Sequence, residues 1–462
     1  MRVHLIAIGG SAMHNMALAL HEKGYKVTGS DDEINEPSKS RLAKKQLLPE
    51  QIGWFPEKIT SDIDAVILGM HARADNPELI RAKERGLKIF SYPEYIYEAT
   101  KDKTRIVIGG SHGKTTITAM ILHVFNYHKI NTDFMVGAQL EGFDTMVKLT
   151  KEAKFAVIEG DEYLASPIDR RPKFHLYKPN IALLSGIAWD HINVFPTFEI
   201  YVDQFRQFVN LIEEGGALVY CNDDKELVKV AEDSGMNNRI AKLPYSVPPN
   251  KIVNGTTFLT VNDKEIPLLI FGNHNLMNLN GARMVCNKAG ISDAQFYEAI
   301  QSFKGAAKRL ELVHKTDSFN MYKDFAHSPS KLKATTSAVK QQFPNRYIVA
   351  CMELHTFSSL TGEFLNEYKG AMDTADEAIV YYNPHTIEHK KLKPITEEQV
   401  LKAFNRNDLK VFTESKKVTE YLKSKKWSNS VLLMMSSGNF DGIDFKEFAG
   451  HLQVNSTKTQ KN

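Results

Sequence analysis

The sequence has few cysteines, no long apolar run and almost no excess of charge of either sign. Its three cysteines, Cys221, Cys286 and Cys351, are far apart and form no CxxC pair, so we expect buried free thiols rather than a disulfide framework or a zinc ribbon. No stretch approaches the roughly 18 apolar residues that a membrane-spanning helix needs. The 58 basic and 55 acidic residues leave a net charge of +3. We therefore expect a cytoplasmic protein with no nucleic-acid partner and no stable membrane association. We also expect a monomer or a weak homodimer, although the composition does not decide the oligomeric state.

Short apolar runs alternate with longer amphipathic stretches along the chain. This pattern is typical of α/β proteins with largely parallel sheets. Strand-like runs such as VHLIAI, RIVIGG and SVLLMMSS occur in three blocks, which the polar stretch EATKDKT and the segment near Gly305 separate. We predict three α/β domains, over residues 1–100, 101–305 and 306–462, in agreement with the length of 462 residues.

A glycine-rich loop, GGSHGKTT, lies between an apolar strand and a helix-like run. This is the context of a phosphate-binding loop, in which backbone N–H groups and a helix N-terminus face the anion. A lysine would contact the β- and γ-phosphates and a threonine would ligate Mg²⁺. The common phosphate-loop pattern GxxxxGK[ST] has glycine where this chain has Ile108. The alternative to a phosphate-binding loop is therefore a glycine-rich turn with an exposed lysine. The predicted nucleotide-binding residues here are Gly110, Ser111, His112, Gly113, Lys114, Thr115 and Thr116.

Acidic side chains follow two later strands. Glu159, Asp161 and Glu162 end the run FAVIEGDEYL, and Asp190 and His191 follow the run IALLSG. Because ligands of open α/β sheets bind at the carboxyl ends of the strands, we expect both groups near the glycine-rich loop. Mg²⁺ prefers oxygen ligands of this kind. Together with the loop they favour a nucleotide–metal site, whereas singly each group is equally well explained as solvated loop carboxylates.

These motifs resemble the Mur ligase family, ATP-dependent enzymes that join amino acids or peptides to UDP-N-acetylmuramic acid. The resemblance runs almost from end to end, and GSHGKTT is similar to the family's GTxGKTT. It implies a Rossmann-like UDP-binding domain, a central P-loop ATPase-like domain and a Rossmann-like C-terminal domain. It also places the family's central glutamate on Glu159 and its metal histidine on His191. ATP and Mg²⁺ are thus the implied cofactors, and the implied metal ligands are Thr115, Glu159 and His191.

The same resemblance assigns roles to residues that would otherwise look like surface charges. The family's HNxxN motif falls on FGNHNLMNLNGA and would lie against the adenine. Its third-domain arginine falls on Arg309 and its aspartate on Asp324, and both would reach the nucleotide when the domains close. The nucleotide-binding residues implied here are His274, Asn275, Arg309 and Asp324. The implied catalytic residues are Lys114, Glu159, His191 and Arg309.

The first block is similar to the UDP-binding domain of the two family branches that add to UDP-N-acetylmuramic acid itself. Like those branches, the chain has no lysine in the stretch after His191, where other branches carry a carbamylated one. A strict GxGxxG is absent, but a glycine turn would cradle a diphosphate and an aspartate would bind a ribose hydroxyl. A histidine after a later strand either lines this cleft or is an ordinary loop residue. The predicted substrate-binding residues are Gly9, Gly10, Ser11, Asp31 and His71.

Two stretches, EGDEYLASPIDRRPKF and LLMMSSGNFDGI, are more similar to one of these two branches. That branch joins L-alanyl-γ-D-glutamyl-meso-diaminopimelate to UDP-N-acetylmuramic acid through an acyl phosphate, releasing ADP and phosphate, in peptidoglycan recycling. The resemblance therefore implies this activity and these two substrates. The alternative is ligation of L-alanine in peptidoglycan biosynthesis, and an ATP-hydrolysing switch is a further one. Candidate peptide contacts, equally explained as surface residues, are Arg170, Arg171, Ser437 and Asn439.

Overall fold

The computed structural model describes residues 1–70, 72–140, 142–189, 194–233, 239–306 and 309–458, with side chains as far as residue 452. The chain forms two compact units, Met1–Pro248 with Met277–Ile300, and Pro249–Leu276 with Gln301–Asn462. The predicted first domain and most of the predicted central domain lie in the first unit. The boundaries at residues 100 and 305 stay predictions. Within the described residues, every helix is too short or too polar to cross a lipid bilayer.

A four-stranded parallel sheet opens the first unit. Its elements are β1 (Arg2–Ile6), α1 (Ser11–Glu22), β2 (Lys26–Ser30), α2 (Ser38–Lys44), a 3₁₀ turn (Pro56–Lys58), β3 (Ala65–Leu68), α3 (Pro77–Glu84), β4 (Ile89–Ser91) and α4 (Tyr92–Thr100). The strand order is β2-β1-β3-β4. All pairs are parallel. The central strand β3, AVIL, is a continuous buried apolar run, as expected of a parallel sheet that is covered on both faces.

A seven-stranded sheet forms the rest of the first unit. Its elements are β5 (Thr104–Gly109), α5 (Lys114–Tyr127), β6 (Thr132–Met135), β7 (Val147–Lys148), β8 (Phe155–Glu159), a 3₁₀ turn (Lys173–Leu176), β9 (Ile181–Leu184), α6 (Phe198–Asn210), β10 (Ala217–Cys221), α7 (Lys225–Glu232), β11 (Ala241–Tyr245), α8 (Asn273–Lys288), which begins in the second unit, and α9 (Asp293–Ile300). The order is β11-β10-β9-β5-β8-β6-β7. Only β7 runs antiparallel.

The second unit holds a small antiparallel sheet and a larger sheet. The small sheet has strands β12 (Asn250–Val253), β13 (Thr256–Val261) and β14 (Lys264–Leu268). The larger one comprises β15 (Glu311–Lys315), β16 (Phe319–Asp324), α10 (Pro329–Gln342), β17 (Tyr347–Leu354), α11 (Gly362–Leu365), β18 (Glu377–Tyr382), α12 (Pro384–His389), α13 (Glu397–Phe404), β19 (Lys410–Phe412), α14 (Ser415–Ser424), β20 (Ser430–Met435) and α15 (Phe445–Lys458), with 3₁₀ turns at Ser358–Leu360 and Asn366–Tyr368. Its order is β15-β16-β20-β17-β18-β19, parallel except at β15.

The mixed α/β architecture with parallel-rich sheets confirms the predicted fold class. Apolar cores cover both faces of the six-stranded sheet, which explains why β17, β18 and β20 are almost entirely apolar in sequence. The three cysteines are buried free thiols, as expected. Burial raises the pKa of Cys286 and of Cys351, which keeps both thiols protonated and unreactive.

A buried hydrogen bond between a histidine and a glutamate links the first strand to α3 and yields a prediction on stability. His4 Nε2 lies 3.1 Å from Glu78 Oε2, both side chains are fully buried, and Glu78 Oε1 accepts the Phe55 N–H at 2.7 Å. Burial raises the pKa of Glu78, but His4 and the hydrogen bonds outweigh it and hold the pKa below its usual 4.5. We expect Glu78→Ala to lower the free energy of unfolding by about 3 kcal/mol, because it leaves a buried polar partner unpaired.

The measurement is urea unfolding across a pH series, with Glu84→Ala on the exposed face of α3 as the matched control. The pKa of Glu78 is lower in the folded than in the unfolded chain. Its contribution is therefore complete above about pH 4.5 and is lost as the pH falls through the folded-state pKa. Glu84 pairs with Arg81 at the surface, and its loss should cost well under 1 kcal/mol. Equal stabilities of the two variants at pH 7 would contradict the assignment.

Candidate active site

The glycine-rich loop joins β5 to α5 at the carboxyl edge of the central sheet, between the ends of β8 and β9. Gly110 has φ 114° and Gly113 has φ 79°, both in the left-handed region. A Cβ at Gly110 would lie 2.7 Å from the Ser185 nitrogen, and one at Gly113 would overlap the Asn278 side-chain amide. Both positions therefore require glycine. No side chain caps the N-terminus of α5, so its N–H groups are available to an anion.

Lys114 is the first residue of α5, and its side chain is only 17% exposed. Its Nζ donates to the Gly110 carbonyl at 2.8 Å and to Glu162 Oε2 at 2.6 Å. Burial lowers the pKa of Lys114, but Glu162, Asp161 and Glu159 raise it by more, so the amine stays charged. An ammonium has three donors, which leaves one for an oxygen of a bound phosphate.

Glu159 ends β8 and lies against the start of α5. Its Oε1 accepts the Thr115 hydroxyl at 2.9 Å, and its Oε2 accepts the Gly137 N–H at 2.9 Å. Burial raises the pKa of Glu159, and the Gly137 N–H and Lys114 partly oppose this. A hydroxyl and a carboxylate side by side are hard oxygen donors of the kind that Mg²⁺ takes. The donor set therefore fits the predicted magnesium ion.

The other acidic side chains of this stretch have different partners. Asp161 pairs with Lys173 at 2.6 Å, and burial, which raises the pKa of Asp161, is outweighed by that lysine. The described ranges contain no group of three or more His, Cys, Asp or Glu side chains placed to hold a metal ion. The predicted Asp190 and His191 lie outside the described residues.

The remaining loop residues divide between backbone and side-chain contacts. The Ser111 N–H donates to the Gly186 carbonyl at 3.0 Å, so this group already has an acceptor in the loop after β9. His112 is exposed, and Thr116 is buried within α5. The Ser111 hydroxyl lies 3.0 Å from the hydroxyl of Tyr201, on the first turn of α6. Sequence reasoning assigned no role to Tyr201, because it reads as part of an apolar helix face.

The predicted diphosphate cradle follows β1 in the first sheet. The Gly9 N–H donates to Asp31 Oδ2 at 2.6 Å, and a Cβ at Gly9 would lie 2.9 Å from the same oxygen. The other Asp31 oxygen accepts the Asp32 N–H at 2.9 Å. Burial raises the pKa of Asp31, and the Gly9 hydrogen bond opposes this. Gly10 precedes α1, whose N-terminus at Ser11 has no side-chain cap. The carboxylate of Asp31 thus holds the glycine turn rather than pointing freely into solvent.

Basic and amide side chains surround this turn, and the sequence analysis did not assign them. His14 Nε2 lies 3.2 Å from Arg41 Nη1, and Arg41 Nη2 donates to the Asp144 carbonyl. Asn15 Oδ1 accepts the Met146 N–H at 2.9 Å. These bonds tie the start of α1 to the loop before β7. No local pattern marks Arg41, which lies in the short helix α2. The predicted His71 lies outside the described residues.

In the second unit, the predicted adenine-binding residues begin α8. Burial lowers the pKa of His274 to about 4, so its ring is neutral at pH 7. Asn275 Nδ2 donates to the Phe271 carbonyl at 3.0 Å, which ties this amide to the preceding turn. A Cβ at Gly272 would lie 2.7 Å from the Ala338 methyl group. His274 thus presents a neutral ring, which suits contact with an uncharged base.

Arg309 and Asp324 lie near one another in the second unit. The Arg309 guanidinium carbon lies 4.6 Å from the centre of the Phe325 ring. Asp324 Oδ2 accepts the Leu310 N–H at 2.6 Å, and Oδ1 accepts the Ala326 N–H at 2.7 Å. Burial raises the pKa of Asp324, while these bonds and Arg309 lower it. Asp324 therefore fixes the backbone beside Arg309.

The two arginines proposed for a peptide carboxylate are both exposed. Arg171 already pairs with both oxygens of Asp169, at 3.0 and 2.6 Å, and with Glu94 at 3.3 Å. A bidentate pair of this kind occupies most of the guanidinium donors. Arg171 is therefore a weaker candidate for the peptide than its neighbour Arg170.

Sequence profiles of three domains match the chain in succession. The profile described as Mur ligase family, catalytic domain, matches residues 2–104, and the Mur ligase middle domain matches residues 108–286. The profile described as Mur ligase, glutamate ligase domain, matches residues 308–438. Together these three profiles cover most of the chain, in the order in which the sequence analysis predicted three domains.

One similar relative is a UDP-N-acetylmuramate–L-alanine ligase of Sulfurihydrogenibium, 31% identical over 82% of each chain. Among solved structures, the chain is similar to a UDP-N-acetylmuramate–alanine ligase of Thermotoga maritima, with a TM-score of 0.67, 20% identity and coverage of 100% of this chain and 99% of that one. It is also similar to a murein peptide ligase of Psychrobacter arcticus, with a TM-score of 0.61, 22% identity and 98% of each chain covered. At 20% and 22% identity, these two similarities show that this chain shares the fold of both structures.

Proposed function

This chain belongs to the Mur ligase family of ATP-dependent amide ligases, and on that premise we propose its substrates. We propose that it joins L-alanyl-γ-D-glutamyl-meso-diaminopimelate to UDP-N-acetylmuramic acid, with ATP converted to ADP and phosphate. The observation that carries the nucleotide part is the cluster of Lys114, Thr115 and Glu159 at the carboxyl edge of β5 and β8. It combines one cation, one hydroxyl and one carboxylate at an uncapped helix N-terminus, as phosphoryl transfer requires.

The proposed chemistry has two steps on the lactyl carboxylate of the sugar nucleotide. A carboxylate oxygen attacks the γ-phosphorus of ATP, ADP leaves, and an acyl phosphate forms. The amine of the L-alanyl residue then attacks the acyl carbon, phosphate leaves, and the amine nitrogen gives up its proton as the amide forms. Lys114 would neutralise charge on the transferring phosphoryl oxygens, where a fixed ammonium is most effective.

Magnesium ions would be held by Thr115 and Glu159 and by the predicted His191, and would supply charge neutralisation between ATP and the acceptor carboxylate. In this chain the Gly137 N–H fixes the Glu159 carboxylate at 2.9 Å, so it does not have to be ordered when the ion binds. Because the Thr115 hydroxyl already contacts that carboxylate, both oxygens are presented from rigid elements, the end of β8 and the first turn of α5.

The turn after β1 supports the uridine diphosphate part of the proposal. Gly9 has no room for a side chain, and the uncapped start of α1 at Ser11 offers backbone N–H groups to a diphosphate. Asp31, which we proposed for a ribose hydroxyl, holds the Gly9 N–H. Binding of the ribose by Asp31 would then have to use the lone pairs that its backbone contacts leave.

The carboxyl edge of the six-stranded sheet supports a site for the amine. Glu353, near the end of β17, is buried, and its Oε2 accepts the Ser436 hydroxyl and the Phe440 N–H, the latter at 2.9 Å. Phe440, Asp441 and Gly442 are all left-handed, with φ of 52°, 57° and 88°. Such a backbone costs energy at the two residues that are not glycine, so Glu353 and packing must hold it. This loop contains Asn439 and is one of the two stretches that favour the tripeptide.

A second candidate function is ligation of L-alanine. The relatives named UDP-N-acetylmuramate–L-alanine ligase favour it, because one is 31% identical and covers 82% of the chain. Another, from Carboxydothermus hydrogenoformans, is 26% identical over 96% of the chain. The two candidates share the sugar nucleotide, ATP and the acyl phosphate, and differ only in the amine.

Phosphate release tests the proposal directly. The purified chain would be assayed with ATP, MgCl₂ and UDP-N-acetylmuramic acid, adding the tripeptide, L-alanine or no amine, with products identified by mass spectrometry. We expect release and an amide product with the tripeptide only. Release with L-alanine only would establish the second candidate. Release that needs no amine but needs Lys114 would overturn both, and the Lys114→Ala variant serves as the control for contaminating ATPases.

Arg309→Ala should lower kcat/KM roughly 100-fold with the fold intact, because the resemblance assigns this cation to the phosphates of ATP. The measurement is phosphate release with the amine that supports turnover. Arg346→Ala is the matched control, since Arg346 also stacks on a phenylalanine, Phe343, with its guanidinium carbon 5.3 Å from the ring centre. The control should stay within about twofold of the unchanged protein. Similar kinetics of both variants would show that Arg309 contributes packing alone.

A further inference from the structure

A chain of side-chain hydrogen bonds ends on the lysine of the phosphate loop. The Ala188 N–H donates to the Ser111 hydroxyl at 2.8 Å, and the Ser111 and Tyr201 hydroxyls lie 3.0 Å apart. Tyr201 then donates to Glu162 Oε1 at 3.1 Å, and Lys114 donates to Glu162 Oε2 at 2.6 Å. We call this series, from Ser111 through Tyr201 and Glu162 to Lys114, the hydroxyl chain.

The chemistry of its members fixes the direction of each bond. A carboxylate only accepts, so the single hydrogen of the Tyr201 hydroxyl points to Glu162. The Ser111 hydroxyl must then donate to Tyr201, while its oxygen accepts the Ala188 N–H. Both oxygens of Glu162 therefore have a donor, one from Tyr201 and one from Lys114, and the carboxylate is held at both ends.

The hydroxyl chain lies in the interior. Tyr201 is fully buried, and Glu162 is 2% exposed. In such surroundings a hydrogen bond is electrostatically stronger than in water, and an unpaired polar atom is costly. Removing the Tyr201 hydroxyl would take one donor from the Glu162 carboxylate, and removing the Ser111 hydroxyl would take away the donor to Tyr201. Either loss weakens the hold on the present position of that carboxylate.

The hydroxyl chain also joins three elements around the phosphate loop. Ser111 lies in the loop itself, Ala188 in the segment that follows β9, and Tyr201 in the first turn of α6, whose N-cap is Thr197. Both ends of the segment that contains the predicted metal histidine are thus bonded to a single serine hydroxyl. Threonine, which the family has at this position, would supply the same hydroxyl.

We propose that Ser111 and Tyr201 are positioning residues for phosphoryl transfer, which act by holding Glu162 so that it aims the ammonium of Lys114. With two of its donors used on Gly110 and Glu162, the ammonium directs the third in one direction. Loss of either hydroxyl would leave Lys114 present but misdirected. The inference rests on the proposed phosphate site at Lys114, and it is independent of which amine the enzyme uses.

The test is steady-state kinetics of Tyr201→Phe, Ser111→Ala and Ser111→Thr, with whichever amine supports turnover. We expect kcat to fall about 10-fold in Tyr201→Phe and in Ser111→Ala, with KM for ATP within about twofold, since misdirection of a group by a fraction of an ångström affects the reacting geometry most. Ser111→Thr should restore kcat. The double variant should be no slower than the singles, because both break the same series of bonds.

Tyr177→Phe is the matched control, because Tyr177 is equally buried in the same unit and its hydroxyl has no hydrogen-bond partner in the part of the chain that the structure describes. Tyr201→Phe kinetics like those of Tyr177→Phe, or losses that multiply to about 100-fold in the double variant, would overturn the proposal. If thermal melting shows that Tyr201→Phe folds poorly, the comparison of Ser111→Ala with Ser111→Thr tests the proposal by itself. An active Lys114→Ala variant would instead show that the phosphate site itself is misassigned.

Discussion

Replacing Lys114 by alanine should abolish ligase turnover, by at least about 10³-fold in kcat/KM. The reason is the position of its ammonium at the start of α5, 2.6 Å from a buried carboxylate and beside left-handed Gly110 and Gly113. Alanine carries no charge, so the variant lacks the cation that would neutralise the transferring phosphoryl oxygens. The measurement is ATP-dependent phosphate release, together with a thermal melting curve to establish that the variant is folded.

Two controls separate loss of chemistry from loss of structure. The alternative interpretation of the sequence was a glycine-rich turn with an exposed lysine, but the Lys114 side chain is mostly buried. Its removal leaves Glu162 without this cation. A Lys114→Ala/Glu162→Gln double variant removes that uncompensated charge and should melt closer to the unchanged protein while remaining inactive. Lys151→Ala, at an exposed loop position, should be fully active. Near-normal turnover of either Lys114 variant would show that the phosphate site lies elsewhere.

The parts of the site that local pattern determines could be predicted from the sequence. The strand, the glycine loop and α5 follow one another without a break, and the left-handed angles of Gly110 and Gly113 explain why glycine stands there. Glu159 was expected near the loop because ligands of open α/β sheets bind at the carboxyl ends of the strands. In the structure β8 pairs with β5 in parallel, so the carboxyl ends of these two strands meet. The direct contact of Glu159 with Thr115 agrees with that expectation.

The partners of individual carboxylates could not be predicted. Asp31 and Asp324 were selected as ligand contacts, and both accept backbone N–H groups of neighbouring turns. Which donors surround a carboxylate depends on turns that are brought together only in the tertiary structure. Tyr201 was missed for the same reason, since spacing with Phe205 and Phe208 places it on the buried face of α6 and nothing local shows that its hydroxyl meets Glu162.

The small antiparallel sheet was also absent from the sequence analysis. Residues 249–276, which we assigned to the central domain, lie in the second compact unit, and the profile of the middle domain matches residues 108–286. The four residues of β12 are all exposed, and β14 begins with two charged residues. A sheet with so little buried surface has a weak apolar alternation, which is the signal that predicts strands. Parallel strands covered on both faces, as in the two Rossmann-like sheets, are apolar along most of their length and are therefore much easier to predict from the sequence.

Glu159→Gln should reduce turnover by roughly 10³-fold and raise the Mg²⁺ concentration needed for activity. Glutamine keeps the shape of the side chain, but its single carbonyl oxygen can take only one of the two positions at which Glu159 accepts the Thr115 hydroxyl and the Gly137 N–H. What it removes is the negative charge and one of the two hard oxygens. Since Mg²⁺ binds through such oxygens, the variant should lose the ion before it loses the fold.

Binding of Mn²⁺ in place of Mg²⁺, followed by electron paramagnetic resonance in the presence of ADP, gives a readout that does not depend on turnover. We expect the affinity for Mn²⁺ to fall at least 10-fold in Glu159→Gln. Asp161→Asn is the matched control, because Asp161 is two residues away and bonds to Lys173 instead of Thr115. If Asp161→Asn weakened Mn²⁺ binding as much as Glu159→Gln, the site would depend on the summed negative charge of the stretch. A larger effect of Glu159→Gln would instead identify Glu159 as the ligand, because its carboxylate contacts the threonine hydroxyl of the phosphate loop, whereas Asp161 pairs with Lys173.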